Sequence, residues 1–182
     1  MKSSVSKLAA LVLRLSALAA CTATRTQKTA GEQIDDSVLT GKVKAALVQD
    51  EATKARQIDV ETFRGTVQHN AFVDSAEAKA AATRVARSVE GVKSVDNNLN
   101  VGGSARTAGE LIDDGVVTTK VKAALVAEPA TKAHEINVET REGVVQLSGF
   151  VDSTDEKSKA AEVAGRVAGV KEVHNDLRIK SL

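Results

Sequence analysis

Three histidines, one cysteine and two pairs of adjacent acids are the residues of this chain best suited to chemistry. The histidines are His69, His134 and His174. A zinc site needs imidazole, thiolate or carboxylate ligands at a recognisable spacing. These three are scattered, and Cys21 has no second thiol to join it. A Ser-His-Asp arrangement needs an exposed nucleophile on a sharp turn, and no such elbow motif is present. Gly102-Gly103-Ser104 lacks the lysine and the following helix pattern of a phosphate loop. Asp35-Asp36 and Asp113-Asp114 would suit a metal or acid/base pair. Each is followed at once by an apolar helical pattern, so they read as first-turn acids complementing the helix dipole. The expectation is a chain with no catalytic residue, no metal, no cofactor and no small-molecule substrate.

The elements that carry these residues occur twice. "GEQIDDSVLTGKVKAALV" at residues 31–48 returns as "GELIDDGVVTTKVKAALV" at 109–126. The register holds without a gap to Val101 and Ile179, with about 40 of roughly 71 paired positions identical. The three histidines fall at different points of this repeat. Two tandem domains follow, residues 31–101 and 109–180, joined by a Gly- and Ser-bearing linker at 102–108. Each unit reads helix, strand, strand, helix, strand. Leu39, Val43, Ala46 and Leu47 make an apolar stripe at helical spacing over residues 34–48. Residues 58–62 alternate, with Ile58 and Val60 inward. After a turn at Arg64-Gly65 comes a second strand. A second helix is capped by Asp74 or Ser75, and by a Ser153/Glu156 capping box in the other copy. Its buried face is Ala78, Ala82, Val85 and Val89, and Gly91 ends it. Val95, Asn97, Leu99 and Val101 then alternate along a third strand. The natural packing is an α+β fold, each domain αββαβ, with a three-stranded sheet covered on one face by two helices.

The frame "GTVQHNAFVDS" at residues 65–75 returns as "GVVQLSGFVDS" at 143–153. Alternation puts Val67, His69, Ala71 and Val73 on the helix-facing side, so His69 replaces the core leucine Leu147. Ala71 replaces Gly149, where a bulge or close backbone approach is expected. "GVVQLSGFVDS" leading into the second helix, with "GVKEVHNDLRI" after it, resembles the BON domain. The resemblance runs from Ile34 to Ile179 and fits the second copy better. It implies a bacterial envelope protein of paired domains, akin to osmotically inducible periplasmic proteins and outer-membrane lipoproteins. It also implies binding to phospholipid or to envelope proteins, without catalysis.

Residues 1–20 read as an export signal. Lys2 and Lys7 form a basic start, and residues 8–20 are apolar except for Arg14 and Ser16. "Leu18-Ala19-Ala20-Cys21" resembles the lipobox of bacterial lipoproteins, which implies acylation at Cys21 and cleavage before it. Several acyl chains are needed for a stable hold, since one binds only weakly. Residues 21–30 form a polar tether. Thr22 after the cysteine is consistent with delivery to the periplasmic face of the outer membrane. The alternative is a soluble periplasmic osmotic-stress protein with chaperone-like activity.

Charge narrows the partners. Residues 31–101 hold 9 Lys and Arg against 11 Asp and Glu, and residues 109–182 hold 10 against 13. The balances, −2 and −3, disfavour nucleic acid, which needs clustered cations. Only about 2% of residues are aromatic, so stacking platforms for single strands are missing too. Two apolar features are left as contact surfaces. The first helix of each domain carries a second strip opposite its core stripe: Ile34, Val38, Ala45 and Val48, then Ile112, Val116, Ala123 and Val126. An ordinary surface helix is polar there. These residues either face lipid or a partner, or pack beneath a loop or the sister domain. Phe63, Phe72 and Phe150 point by alternation to the open sheet face. That face is either covered where the domains meet or free for a partner.

Overall fold

In each repeat the switch from helical to alternating periodicity sets the order of elements. The computed structural model describes residues 30–53, 58–102 and 107–180. The leader, Cys21 and nearly all of the tether lie outside the described residues. The first repeat forms α1 (Ala30–Gln49), β1 (Asp59–Phe63), β2 (Thr66–Val73), α2 (Ala76–Ser88) and β3 (Ser94–Val101). The second forms α3 (Ala108–Ala127), a 3-10 turn (Ala133–Glu135), β4 (Ile136–Arg141), β5 (Val144–Val151), α4 (Thr154–Gly165), β6 (Glu172–Asn175) and β7 (Arg178–Ile179). Each domain is therefore αββαβ, as the alternation implied. In the second domain Asp176 and Leu177 break the last strand in two, yet the Asp176 N–H still donates to the Leu147 carbonyl at 2.8 Å.

The central strand of each sheet is the second one. β1 pairs antiparallel with β2 on one side, and β3 pairs parallel with it on the other. A parallel pair needs a long crossover, and α2 supplies it. β4, β5 and β6 repeat the pattern around α4. Leu39, Val43 and Leu47 of α1 meet Val60, Val67, Ala71, Val73 and Leu99 from the sheet. α2 contributes Ala82 and Ala86 to this core, and its Ala78, Val85 and Val89 are only half-buried against it. The expected face of α2 is thus rotated slightly, because small alanines let the helix settle onto the sheet. Val117, Val121 and Leu125 of α3 play the same part over Val138, Val145, Leu147, Val151 and Leu177.

The hairpin turns overturn the helix-dipole reading of the paired acids. Arg64 and Gly65 have φ of 50° and 82°, and Glu142 and Gly143 have φ of 54° and 80°. Both central residues are left-handed, as a tight two-residue hairpin requires. Asp36 is buried in α1 and accepts the backbone N–H of Arg64 at 2.7 Å and of Gly65 at 2.9 Å. Asp114 does the same for Glu142 at 3.0 Å and Gly143 at 3.1 Å. The helices start at Ala30 and Ala108, so these acids lie past the first turn, where the dipole effect has faded. They clamp each hairpin to its helix.

The expected capping box at α4 forms by half. The Ser153 hydroxyl accepts the Glu156 N–H at 3.1 Å. The Glu156 carboxylate is buried and instead accepts the N–H of Lys132 at 2.7 Å and of Asp152 at 3.0 Å. A complete capping box closes α3, between Thr107 and Glu110.

Candidate functional site

Alternation gives every strand a second face, and in this chain the two second faces meet. On β2, Gln68 lies on the side away from α1 and α2. Its amide donates to the Asp176 carbonyl at 2.5 Å, and its oxygen accepts the Gly149 N–H at 2.9 Å. Its repeat partner Gln146 donates to the Asn98 carbonyl at 2.8 Å and to the Asp176 carboxylate at 2.6 Å. Phe63 stacks on Phe150 with ring centroids 5.3 Å apart. Around them Asn137 donates to Glu61 at 2.8 Å, and Arg178 pairs with Asp96 at 3.2 Å. His174 lies 3.2 Å from the Asn100 side chain. The body is four layers: helices, sheet, sheet, helices.

Phe63, Phe72 and Phe150 are accordingly buried. As an open patch for an outside partner they are corrected, because the sister sheet covers them. The glutamines are the interface residues that sequence reasoning missed. The available signal was an identical Gln in the middle of both central strands, on the same face as the repeated Phe72 and Phe150.

The strips on α1 and α3 have the opposite fate. Ile34, Val38 and Val48 are 65%, 53% and 68% exposed, and Ile112, Val116 and Val126 are 67%, 47% and 75% exposed. Ala45 and Ala123 are exposed beside them. Among the described residues neither a loop nor the sister domain covers them. Val116 also borders a cleft of about 580 Å³ shared with Val117, Lys120, Gly169 and Lys171. Val38 borders the matching cleft of about 420 Å³, with Lys42, Gly91 and Lys93. Acids alternate with these lysines along both clefts, including Glu110 and Asp113 in the second. Each apolar strip therefore sits beside mixed charge and not beside a basic patch.

The BON domain profile matches this sequence twice, over residues 35–103 and 113–181. The chain belongs to the BON family. It is 40% identical over 151 residues to osmotically-inducible protein Y of Escherichia coli, covering 82% of this chain and 75% of that one. It is 34% identical over 147 residues to outer membrane lipoprotein DolP of Haemophilus influenzae, covering 80% and 75%. A 21 kDa hemolysin of Actinobacillus pleuropneumoniae is 33% identical, with the same coverage.

The first BON domain departs from the second at His69, and the structure shows the consequence. The imidazole is fully buried on the helix-facing side of β2, and neither ring nitrogen has a hydrogen-bond partner. Burial pushes its pKa down from 6.5 to about 4. The neighbouring Asn97 is committed elsewhere: its amide donates to the Lys79 carbonyl and the Thr83 hydroxyl, both at 2.6 Å. In the second BON domain Gly149 occupies the place of Ala71 with φ of 123°, and a Cβ there would clash with the Glu135 carbonyl oxygen. The close approach expected at that glycine is thus with the end of the 3-10 turn, just before β4.

His134 is exposed, beside Glu135. The densest charge cluster of the second BON domain joins Lys180 to Glu135 at 2.7 Å and to Asp152 at 2.8 Å, with Lys132 also bonded to Asp152. Hydrogen bonds from Lys132 and Lys180 hold the Asp152 carboxyl below its ordinary range. The cluster neutralises itself and ties the 3-10 turn to the ends of β5 and the last strand. No group of three or more potential metal ligands converges among the described residues. No helix among them is long and apolar enough to cross a membrane.

Proposed function

We propose that this BON protein is a non-enzymatic envelope lipoprotein. It is held by acylation at Cys21 to the periplasmic face of the outer membrane, and it contacts phospholipid through the outward strip of α3. Its role is to support outer-membrane integrity. The observation that carries this reading is the exposure of Ile112, Val116 and Val126 on one helix face, with nothing packed over them among the described residues. Such a face is what an interfacial helix offers to the acyl boundary. Charge adds little, since the domains are weakly acidic and acids interleave with the lysines. A few aliphatic side chains give only a weak grip at about 25 cal/mol per Å². A lipid anchor raises the local concentration enough for a weak second contact to matter. The name of the lipoprotein relative is consistent with the anchor.

Flotation with phosphatidylethanolamine/phosphatidylglycerol vesicles tests this, using residues 30–180, which contain both cores and the sheet interface. The wild type floats, and Val116→Asp lowers the floating fraction. Equal flotation of the two, or none for either, refutes the lipid contact.

A second reading is favoured by the 40% identical osmotically-inducible relative. Here the protein is a soluble periplasmic stress protein with chaperone-like activity. The mass of the native N-terminus separates the two: an acylated Cys21 supports the first, and an unmodified start after Ala20 supports the second.

A further inference from the structure

The contacts between the two sheets come in matched pairs. Each interface residue has a counterpart in the other repeat, and exchanging both members of one contact gives a second contact. Gln68 donates to the Asp176 carbonyl, and Gln146 donates to the Asn98 carbonyl. By the same exchange the Asp96–Arg178 ion pair maps onto His174 and Asn100. One side of the interface is thus held by a permanent ion pair and the other by an imidazole.

His174 is half-buried on β6, in the wall of an interdomain cavity of about 230 Å³ shared with Phe72, Asn100, Arg141, Glu142 and Glu172. Its Nδ1 lies 3.2 Å from Asn100 Oδ1 of the first domain, and its Nε2 lies 3.1 Å from Glu172 Oε1 on its own strand. Both neighbours are acceptors. A neutral imidazole has one N–H and one lone pair, so it serves only one of them, whereas the imidazolium donates to both. The carboxylate is the stronger acceptor. The neutral ring therefore keeps its hydrogen on Nε2 and turns a lone pair toward Asn100. A proton arriving at Nδ1 makes the bond that crosses the domains. Imidazole as a class changes charge between about pH 5 and 8.

The charged groups facing this ring do not oppose the added proton. In the cavity wall they are Arg141 and Glu142 of the β4–β5 hairpin and Glu172 of β6, one cation against two carboxylates. Beyond them, Asp96 of β3 and Arg178 of β7 neutralise each other at 3.2 Å. We infer that His174 is a pH-sensitive latch between the two BON domains: mild acid tightens the sheet interface, and loss of the Nδ1 proton releases it on this side. The faces it holds together carry Phe63, Phe72 and Phe150, which are buried while the interface is closed.

Hydrogen exchange of the Gly149 amide tests the latch, because that N–H is bonded across the interface to Gln68. Protection is measured by NMR on residues 30–180 at pH 8, 7 and 6, after correction for the intrinsic pH dependence of exchange. His69, held at about 4, stays neutral throughout this window. Wild-type protection should rise roughly twofold to fivefold between pH 8 and 6, the range of a partly exposed charge contact. His174→Gln, which carries no titrating ring, should give a flat profile. Asn100→Ala should also be flat, because it keeps the His174–Glu172 contact and removes only the partner across the domains. A wild-type slope that survives in either variant overturns the inference. So does a flat wild-type profile. Protection that falls on acidification overturns it as well: the Asn100 amide would then be donating to a bare Nδ1, and the proton would break the contact.

Discussion

Replacing His69 with leucine should change the pH dependence of stability in a calculable way. His69 pairs in register with Val60 on one side and Asn97 on the other, at the centre of the first sheet. Its ring is buried without partners, and its pKa lies at about 4 against an ordinary 6.5. Between those values the unfolded chain takes up a proton that the folded chain refuses. Stability therefore falls as pH drops from above 6.5 toward 4, and the loss levels off below the folded value. Linkage gives a loss of roughly 1 kcal/mol at pH 5.5 and roughly 2–3 kcal/mol at pH 4.5. His69→Leu removes this term and restores the residue that Leu147 provides in the other domain. At pH 7.5 the variant gains about 2 kcal/mol from no longer burying unpaired nitrogens. The measurement is urea unfolding of residues 30–180 by circular dichroism at pH 7.5, 5.5 and 4.5, for wild type and variant. Every other titrating group contributes equally to both, so the difference isolates His69. The gap should widen steadily toward acid. Parallel profiles would refute the buried, unpaired histidine.

Two further perturbations probe the clamps and the interface. Asp114→Ala strands the buried Gly143 N–H and the part-buried Glu142 N–H of the hairpin turn, so it should cost about 1–3 kcal/mol in urea unfolding. The exposed neighbour Asp113→Ala should stay within about 0.5 kcal/mol, and equal costs would reject the clamp. Phe150→Ala removes the ring stacked on Phe63 across the domains, a contact worth about 1 kcal/mol beyond its buried area. Exchange of the Gly149 amide, bonded across the interface to Gln68, should then speed up about tenfold for each 1.4 kcal/mol lost. Unchanged exchange would mean that the sheets stay paired without the aromatic stack.

Periodicity and repetition carried most of the fold. Leu39, Val43 and Leu47 recur at helical spacing, and Val67, His69, Ala71 and Val73 alternate, so their burial follows from local geometry alone. The paired acids show where local reasoning stops. Asp36 precedes an apolar run, which is all a sequence window displays, whereas its partner turn at Arg64-Gly65 lies far along the chain. Only the packing of α1 over the hairpin brings carboxylate and N–H groups together. Gln68 and Gln146 were missed as interface residues for a related reason: a polar side chain on an alternate strand position looks solvent-facing until another sheet covers it.

The sequence by itself determined two BON domains, their αββαβ order, the core stripe of each first helix and the spare apolar strip opposite it. These depend on spacings of a few residues, which the backbone converts directly into faces. Tertiary structure decided which faces survive as surface. It closed the open sheet faces on each other, burying Phe63, Phe72 and Phe150, and left both helix strips outward on opposite sides. That choice depends on shape and hydrogen bonding between distant residues, with Gln68 answering Gly149 and Gln146 answering Asn98. No periodicity within one repeat encodes it.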